Sequence, residues 1–191
     1  MNKVKNILFV GVGGQGIILA SKILVSGLIN SGYDVKMSEV HGMAQRGGSV
    51  TTQVRYGDKV YSPIIGKGSA DVIVAFEKME ALRWIEYLSP GGKLIVNDYK
   101  IPSATVLSEK EKYPENVIEN IKSNIKNTTV IKAAEKAKEL GNIKSQNMIM
   151  LGVLLKTLQL PNVNWGKIIS ENVKKQFVSI NMKSVKIGMD V

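Results

Sequence analysis

The sequence predicts one α/β domain over residues 1–191, a Rossmann-like, mainly parallel sheet with a β-hairpin insertion and C-terminal helices. Three observations predict it. The apolar run Ile7-Leu8-Phe9-Val10 passes through Gly11-Val12-Gly13-Gly14-Gln15-Gly16 into Ile17-Ile18-Leu19-Ala20, the order of a buried strand, a tight turn and a helix. Val72-Ile73-Val74-Ala75 and Leu94-Ile95-Val96 bracket a helical stretch, which is β–α–β construction. Between these blocks, residues 49–56 are β-rich and partly alternating, where a plain dinucleotide fold would carry a helix.

Taken in order, the first helix covers about residues 14–31. Ile17, Leu19-Ala20, Ile23-Leu24 and Leu28 fall near a 3.6-residue repeat, and Ser31-Gly32 ends it. Residues 33–40 form the second strand. After residues 49–56, Gly57-Asp58 makes a turn and residues 60–65 continue extended, so a hairpin stands in place of the second crossover. Residues 71–76 are a strand, and 77–88 a helix with Met79, Leu82, Trp84-Ile85 and Leu88 at its apolar positions. Ser89-Pro90-Gly91-Gly92 is a turn before a strand at 93–97, and the chain is irregular to about 114. A weakly amphipathic helix at 115–126 and a short strand at 128–131 follow. A lysine/glutamate helix at 132–140 is then closed by Gly141-Asn142. Residues 146–158 have almost no polar face, which predicts a helix buried on several sides, in a core or a subunit interface. Gly152 inside it costs about 1 kcal/mol relative to alanine, which close packing against a neighbour offsets. Residues 163–175 and 177–188 supply terminal helices.

Composition narrows the function. Hydrophobic residues make up 44% of the chain and aromatic residues 6%, so the core is aliphatic and large enough to fold without staples. With no cysteine, the chain has no disulfide, no thiolate zinc site and no cysteine-ligated iron–sulfur cluster. A single histidine, His41, argues against a histidine metal site or a Ser–His–Asp triad. No apolar run approaches the roughly 18–20 residues of a membrane span, and no secretory signal precedes the first strand, which points to the cytoplasm. The net charge of +10 is mostly lysine spread along helices without interleaved aromatics. That describes a solvated surface or a face for an acidic protein partner, not a nucleic-acid platform.

Two stretches carry candidate chemistry. Gly11, Gly13 and Gly16 have the G-x-G-x-x-G spacing. These positions allow a tight turn, close backbone approach to an anion and close helix–sheet packing. Backbone N–H groups at the helix start then receive a phosphate. The candidate binding residues here are Gly11, Gly13, Gly14, Gln15 and Gly16, with Lys22 either reaching back to the loop or simply solvated. A glycine loop that serves packing alone is the plain alternative. Glu39 lies 23 residues after Gly16, near the place of a ribose-binding acid, so a stand-alone NAD(P)-dependent enzyme is a second reading. Residues 39–48 are the other stretch. In it Arg46 with Gly47 and Gly48 pairs a guanidinium with a yielding backbone, which suits an anion or a chain–chain contact. His41 is read first as a structural hydrogen-bonder.

Together these segments resemble the gamma-type chain of the 2-oxoacid:ferredoxin oxidoreductases. The matching residues are Gly11-Val-Gly-Gly-Gln-Gly16, Ser38-Glu-Val-His-Gly-Met-Ala-Gln-Arg-Gly-Gly48, Tyr61-Ser-Pro63, Ala70-Asp71, Glu77, Leu151-Gly152, Asn181 and Gly188. The His41-Gly42-Met43 form favours the indolepyruvate branch, where the corresponding chain is the beta subunit. The resemblance implies a role in oxidative decarboxylation of an aryl 2-oxoacid to an acyl-coenzyme A with reduction of ferredoxin. It places thiamine diphosphate and the iron–sulfur clusters on a partner alpha subunit. It also implies coenzyme A binding at the glycine loop, at Gly11, Gly13, Gly14, Gln15, Gly16 and Lys22, with Arg46 and Arg55 as further anion contacts. A homodimer in isolation and a non-binding scaffold role both stay open.

Overall fold

The computed structural model describes residues 4–41, 48–102, 104–108, 112–160 and 163–191. The elements, in order, begin with β1 (Lys5–Val12), α1 (Ile17–Asn30), β2 (Asp34–His41), β3 (Ser49–Gly57), β4 (Ala70–Ala75) and α2 (Lys78–Trp84). They continue with β5 (Leu88–Asn97), α3 (Ala104–Leu107), α4 (Val117–Asn124), β6 (Thr128–Ile131) and α5 (Ala133–Glu139). Three helices close the chain, α6 (Gln146–Leu158), α7 (Trp165–Asn172) and α8 (Val178–Met189). The six strands form one sheet in the order β2-β3-β1-β4-β5-β6. β1, β4, β5 and β6 are parallel, and β3 runs antiparallel to both β1 and β2. The α/β architecture is as the sequence predicts.

β1 explains why the sheet is covered on both faces. Ile7, Leu8, Phe9 and Val10 are each 0% exposed, a continuous apolar run of the kind a doubly covered parallel strand needs. Because strand side chains alternate, Ile7 and Phe9 pack with Val54, Val72, Val74 and Ile95 beneath α1, α5, α6, α7 and α8. Leu8 and Val10 pack with Ile73, Ala75, Leu94 and Val96 beneath α2 and α4. α6 is buried from Gln146 to Leu155, as its lack of a polar face predicts.

The hairpin insertion differs from its sequence reading. Its two strands are β2 and β3, and residues 60–65 form no strand. Both edges of β3 are already paired, so no ladder remains for that segment. Side chains satisfy its backbone instead. Asp34 accepts the Val60 N–H at 2.9 Å, Gln53 accepts the Ile65 N–H at 2.6 Å, and Arg55 Nη1 donates to the Ser62 carbonyl at 2.8 Å. Pro63 has no N–H to place. Residues 89–92, expected as a turn, lie inside β5 where its pairing with β4 shifts register. Among the described residues, no helix is long and apolar enough to cross a membrane.

Candidate functional site

The glycine loop sits at the C-terminal end of β1, on the sheet edge where parallel α/β folds bind ligands. Each residue of the loop has a separate reason to be there. A Cβ on Gly11 would lie 2.8 Å from Gln15 Oε1 and Ile17 Cδ1 and 2.9 Å from Phe76 Cβ, so only glycine passes between strand and helix. Gly16, the residue capping α1, has φ 77°, and a Cβ there would run into the Asn147 amide. Gly14 has φ 96° and open space around it. It is the loop position that faces outward.

Gln15 is 5% exposed and acts as an internal brace. Its Oε1 accepts the Val12 N–H at 2.8 Å, and its Nε2 donates to the Phe76 carbonyl at 2.7 Å. Asn97 donates to the same carbonyl at 3.2 Å and to Gln146 Oε1 at 3.1 Å, while its Oδ1 accepts the Ala133 N–H at 3.0 Å. Asn147 Nδ2 closes the network on the Gly16 carbonyl at 3.1 Å. Buried amides joined in this way fix the loop from behind, because leaving any one unpaired costs about 1–3 kcal/mol. Asn97, Gln146 and Asn147 are the site residues that sequence reasoning missed. Their partners lie far along the chain, and the one available signal was polar amides opening an otherwise apolar helix.

In front of the loop lies a cleft of about 320 Å³, lined by residues 12–18 and Val50. The first turn of α1 has no side-chain cap and no acidic residue, so its N–H groups and the positive end of its dipole face that cleft without a built-in competitor. The Gly13 N–H donates to the Gly48 carbonyl at 2.8 Å. The two stretches singled out in the sequence therefore meet. Their junction is held from α2: Ser49 Oγ donates to Glu80 Oε2 at 2.6 Å, and Arg83 pairs with the other oxygen of the same buried carboxylate at 3.2 Å. Arg46 and Gly47 lie outside the described residues, as does the side chain of His41.

Other candidates fall elsewhere. Lys22 Nζ lies 3.9 Å from Glu39 Oε1, so the proposed phosphate lysine and the proposed ribose acid pair with each other. Because β3 stands between β1 and β2, Glu39 is two strand spacings from the loop strand, about 10 Å instead of about 5 Å. That displacement weakens the NAD(P) reading. Arg55 is corrected outright as an anion contact: its guanidinium is bound to Asn6 Oδ1 at 2.8 Å and to the carbonyls of Ser62 and Ile64, toward the other end of the sheet. Among the described residues no group of three or more histidines, cysteines or acids is placed to hold a metal ion.

A glycine loop on β1, braced from α6 and bonded through Gly13 to Gly48, defines an α/β domain of Rossmann-like build with the crossover helix replaced by an antiparallel strand. The profile of the family "Pyruvate ferredoxin/flavodoxin oxidoreductase" matches residues 6–191, and the chain belongs to that family. It is 38% identical over 189 residues to the indolepyruvate oxidoreductase subunit IorB of Pyrococcus horikoshii, covering 96% of this chain and 94% of that one. The fold is shared with the pyruvate oxidoreductase subunit PORC of Thermotoga maritima. There the TM-score is 0.74 at 22% identity, over 98% of this chain and 96% of that one. It also matches part of the 2-oxoglutarate:ferredoxin oxidoreductase of Magnetococcus marinus, solved with 2-oxoglutarate, coenzyme A and succinyl-CoA bound. That likeness has a TM-score of 0.76 at 19% identity, over 100% of this chain and 31% of that one. The family is one of oxidoreductase components, which agrees with the sequence resemblance.

Proposed function

We propose that this chain is the coenzyme A-binding subunit of a cytoplasmic indolepyruvate-type 2-oxoacid:ferredoxin oxidoreductase. In the reaction a 2-oxoacid and coenzyme A become an acyl-coenzyme A and carbon dioxide, while an electron pair passes to ferredoxin. With no cysteine in the chain, the clusters belong to a partner alpha subunit, and thiamine diphosphate is assigned there too. The part left to this chain is to bind and orient the nucleotide end of coenzyme A. The observation that carries the reading is the Gly13–Gly48 hydrogen bond. It ties the glycine loop to the residue that leads into β3, beside a cleft that the helix dipole and the free N–H groups of the uncapped start of α1 face.

Gly14→Val tests the reading. The substitution adds a side chain at the outward-facing position, where no protein atom lies within 4 Å of a Cβ. The left-handed backbone adds about 1–2 kcal/mol of strain, which a thermal melt measures separately. In the complex reconstituted with its cluster-bearing partner, the variant is expected to raise the KM for coenzyme A at least tenfold and leave the KM for the 2-oxoacid unchanged. Equal KM values for coenzyme A in both proteins would reject the site. Tight NADH binding by calorimetry, with none for coenzyme A, would restore the dinucleotide reading.

A further inference from the structure

At the opposite end of β1 from the glycine loop lies a second cleft, of about 280 Å³, and its lining is built differently. Part of its lining is apolar: Ile7, Val72 and Leu158 share one cluster with Tyr56, which is 6% exposed and packs edge-on to Tyr33 with ring centroids 5.1 Å apart. Three donors on this cleft have no hydrogen-bond or ion-pair partner among the described residues, namely the Tyr56 hydroxyl, the Ser89 hydroxyl and the Lys93 ammonium. The other charges on the rim are already matched. Lys5 Nζ lies 3.5 Å from Asp71 Oδ1, and Asp71 Oδ2 accepts the Asn6 N–H at 2.8 Å. One uncompensated positive charge therefore remains beside an apolar lining, with two neutral O–H donors next to it.

We propose that this cleft binds a small organic carboxylate with an apolar body, its oxygens taken by Tyr56, Ser89 and Lys93. The Tyr56 hydroxyl opens onto this cleft, where a carboxylate oxygen accepts its hydrogen bond in place of water. A single free ammonium matches one negative charge, and its bond to a carboxylate is charge-assisted. The apolar lining of Ile7, Val72 and Leu158 gains nothing from inorganic phosphate but covers an aryl or branched alkyl group. The apolar lining and the single unpaired ammonium set this ligand class apart from that of the glycine loop, whose lining carries no charged side chain.

The test is calorimetric titration of the full chain with phenylacetate, acetate and inorganic phosphate. Saturable one-to-one binding of phenylacetate is expected, with acetate and phosphate at least tenfold weaker. Tyr56→Phe and Lys93→Ala are each expected to weaken phenylacetate at least fivefold. Tyr56→Phe keeps the ring that packs on Tyr33, and Lys93→Ala alters an exposed side chain, so melting temperatures certify that both fold. No saturable binding at millimolar phenylacetate overturns the proposal. Phosphate binding as tightly as phenylacetate overturns the organic-acid assignment. Affinity unchanged in both variants moves the acid to another place and equally overturns it. Coenzyme A affinity, measured on the same samples, keeps this outcome separate from that of the glycine loop.

Discussion

Gly16 meets two constraints that can be separated experimentally. Its φ of 77° is one that an L side chain adopts at a cost of about 1–2 kcal/mol, and its missing Cβ is the space that the Asn147 amide occupies. Gly16→Ala should therefore destabilise the fold by roughly 2–3 kcal/mol, the sum of backbone strain and displaced amide. Asn147→Ala alone loses the 3.1 Å bond to the Gly16 carbonyl and should cost about 1 kcal/mol. In the double variant the steric part disappears and the strain remains, so a urea-denaturation cycle should give a coupling of about 1 kcal/mol. A coupling near zero would show that the two residues do not meet. The same pair marks how far the site was legible. The glycine spacing is local and revealed the loop. The brace behind it was not visible, because Gln15 reaches Phe76 across 61 residues and Asn147 reaches Gly16 across 131, and no local pattern encodes such a bond.

The α6–α8 contact shows the same logic at the scale of elements. Glycine inside a helix normally costs about 1 kcal/mol relative to alanine, yet both helices carry one at their crossing. A Cβ on Gly152 would collide with the Val185 carbonyl oxygen and come within 2.9 Å of Gly188 Cα; one on Gly188 would collide with the Ile149 carbonyl oxygen. Backbone cannot swing aside as a side chain can, so Gly152→Ala should destabilise by about 1–3 kcal/mol, reversing the sign that helix propensity alone gives. Chemical denaturation decides it: a variant more stable than the parent would mean that the helices stand further apart. Elements of this kind were legible because their signals are periodic, and the buried character of α6 follows directly from residues 148–155. Pairing was harder. The alternation of residues 49–56 identified a strand, but the sequence could not show that β3 would wedge between β1 and β2, since partner choice is a tertiary matter. Residues 60–65 misled for a related reason: extended and apolar, they look like a strand, and only the prior use of both β3 edges denies them a ladder.

For the whole molecule, ionisation sets stability limits of opposite sign. Asp34 is held below the usual carboxylate range, chiefly by the Val60 N–H and then by Lys36. A depressed carboxyl contributes stability above its unfolded pKa and loses it as pH falls through the folded one, so the tie between β2 and the segment at Val60 weakens in acid. Tyrosines govern the alkaline side. Burial, with smaller contributions from Tyr33 and the Asp71 charge, pushes Tyr56 up to about 12. Tyr113 is raised further by burial and by donating to Glu77, the buried carboxylate that also caps α2 at Met79 and Glu80. A group with a raised folded pKa contributes fully below its unfolded value, near pH 10 for tyrosine, and the contribution is lost as pH rises through the folded value. Between pH 10 and 12 the fold should therefore lose stability through Tyr56. Tyr56→Phe keeps the ring and removes the proton, so its urea midpoint should fall less steeply over that interval than the parent's, with Tyr113 supplying the slope that remains. Lysine titration is common to both proteins and cancels in the comparison. Superimposable profiles from pH 7 to 12 would mean that the Tyr56 hydroxyl ionises as freely in the fold as in the unfolded chain, and that its place on the lower cleft does not hold its proton.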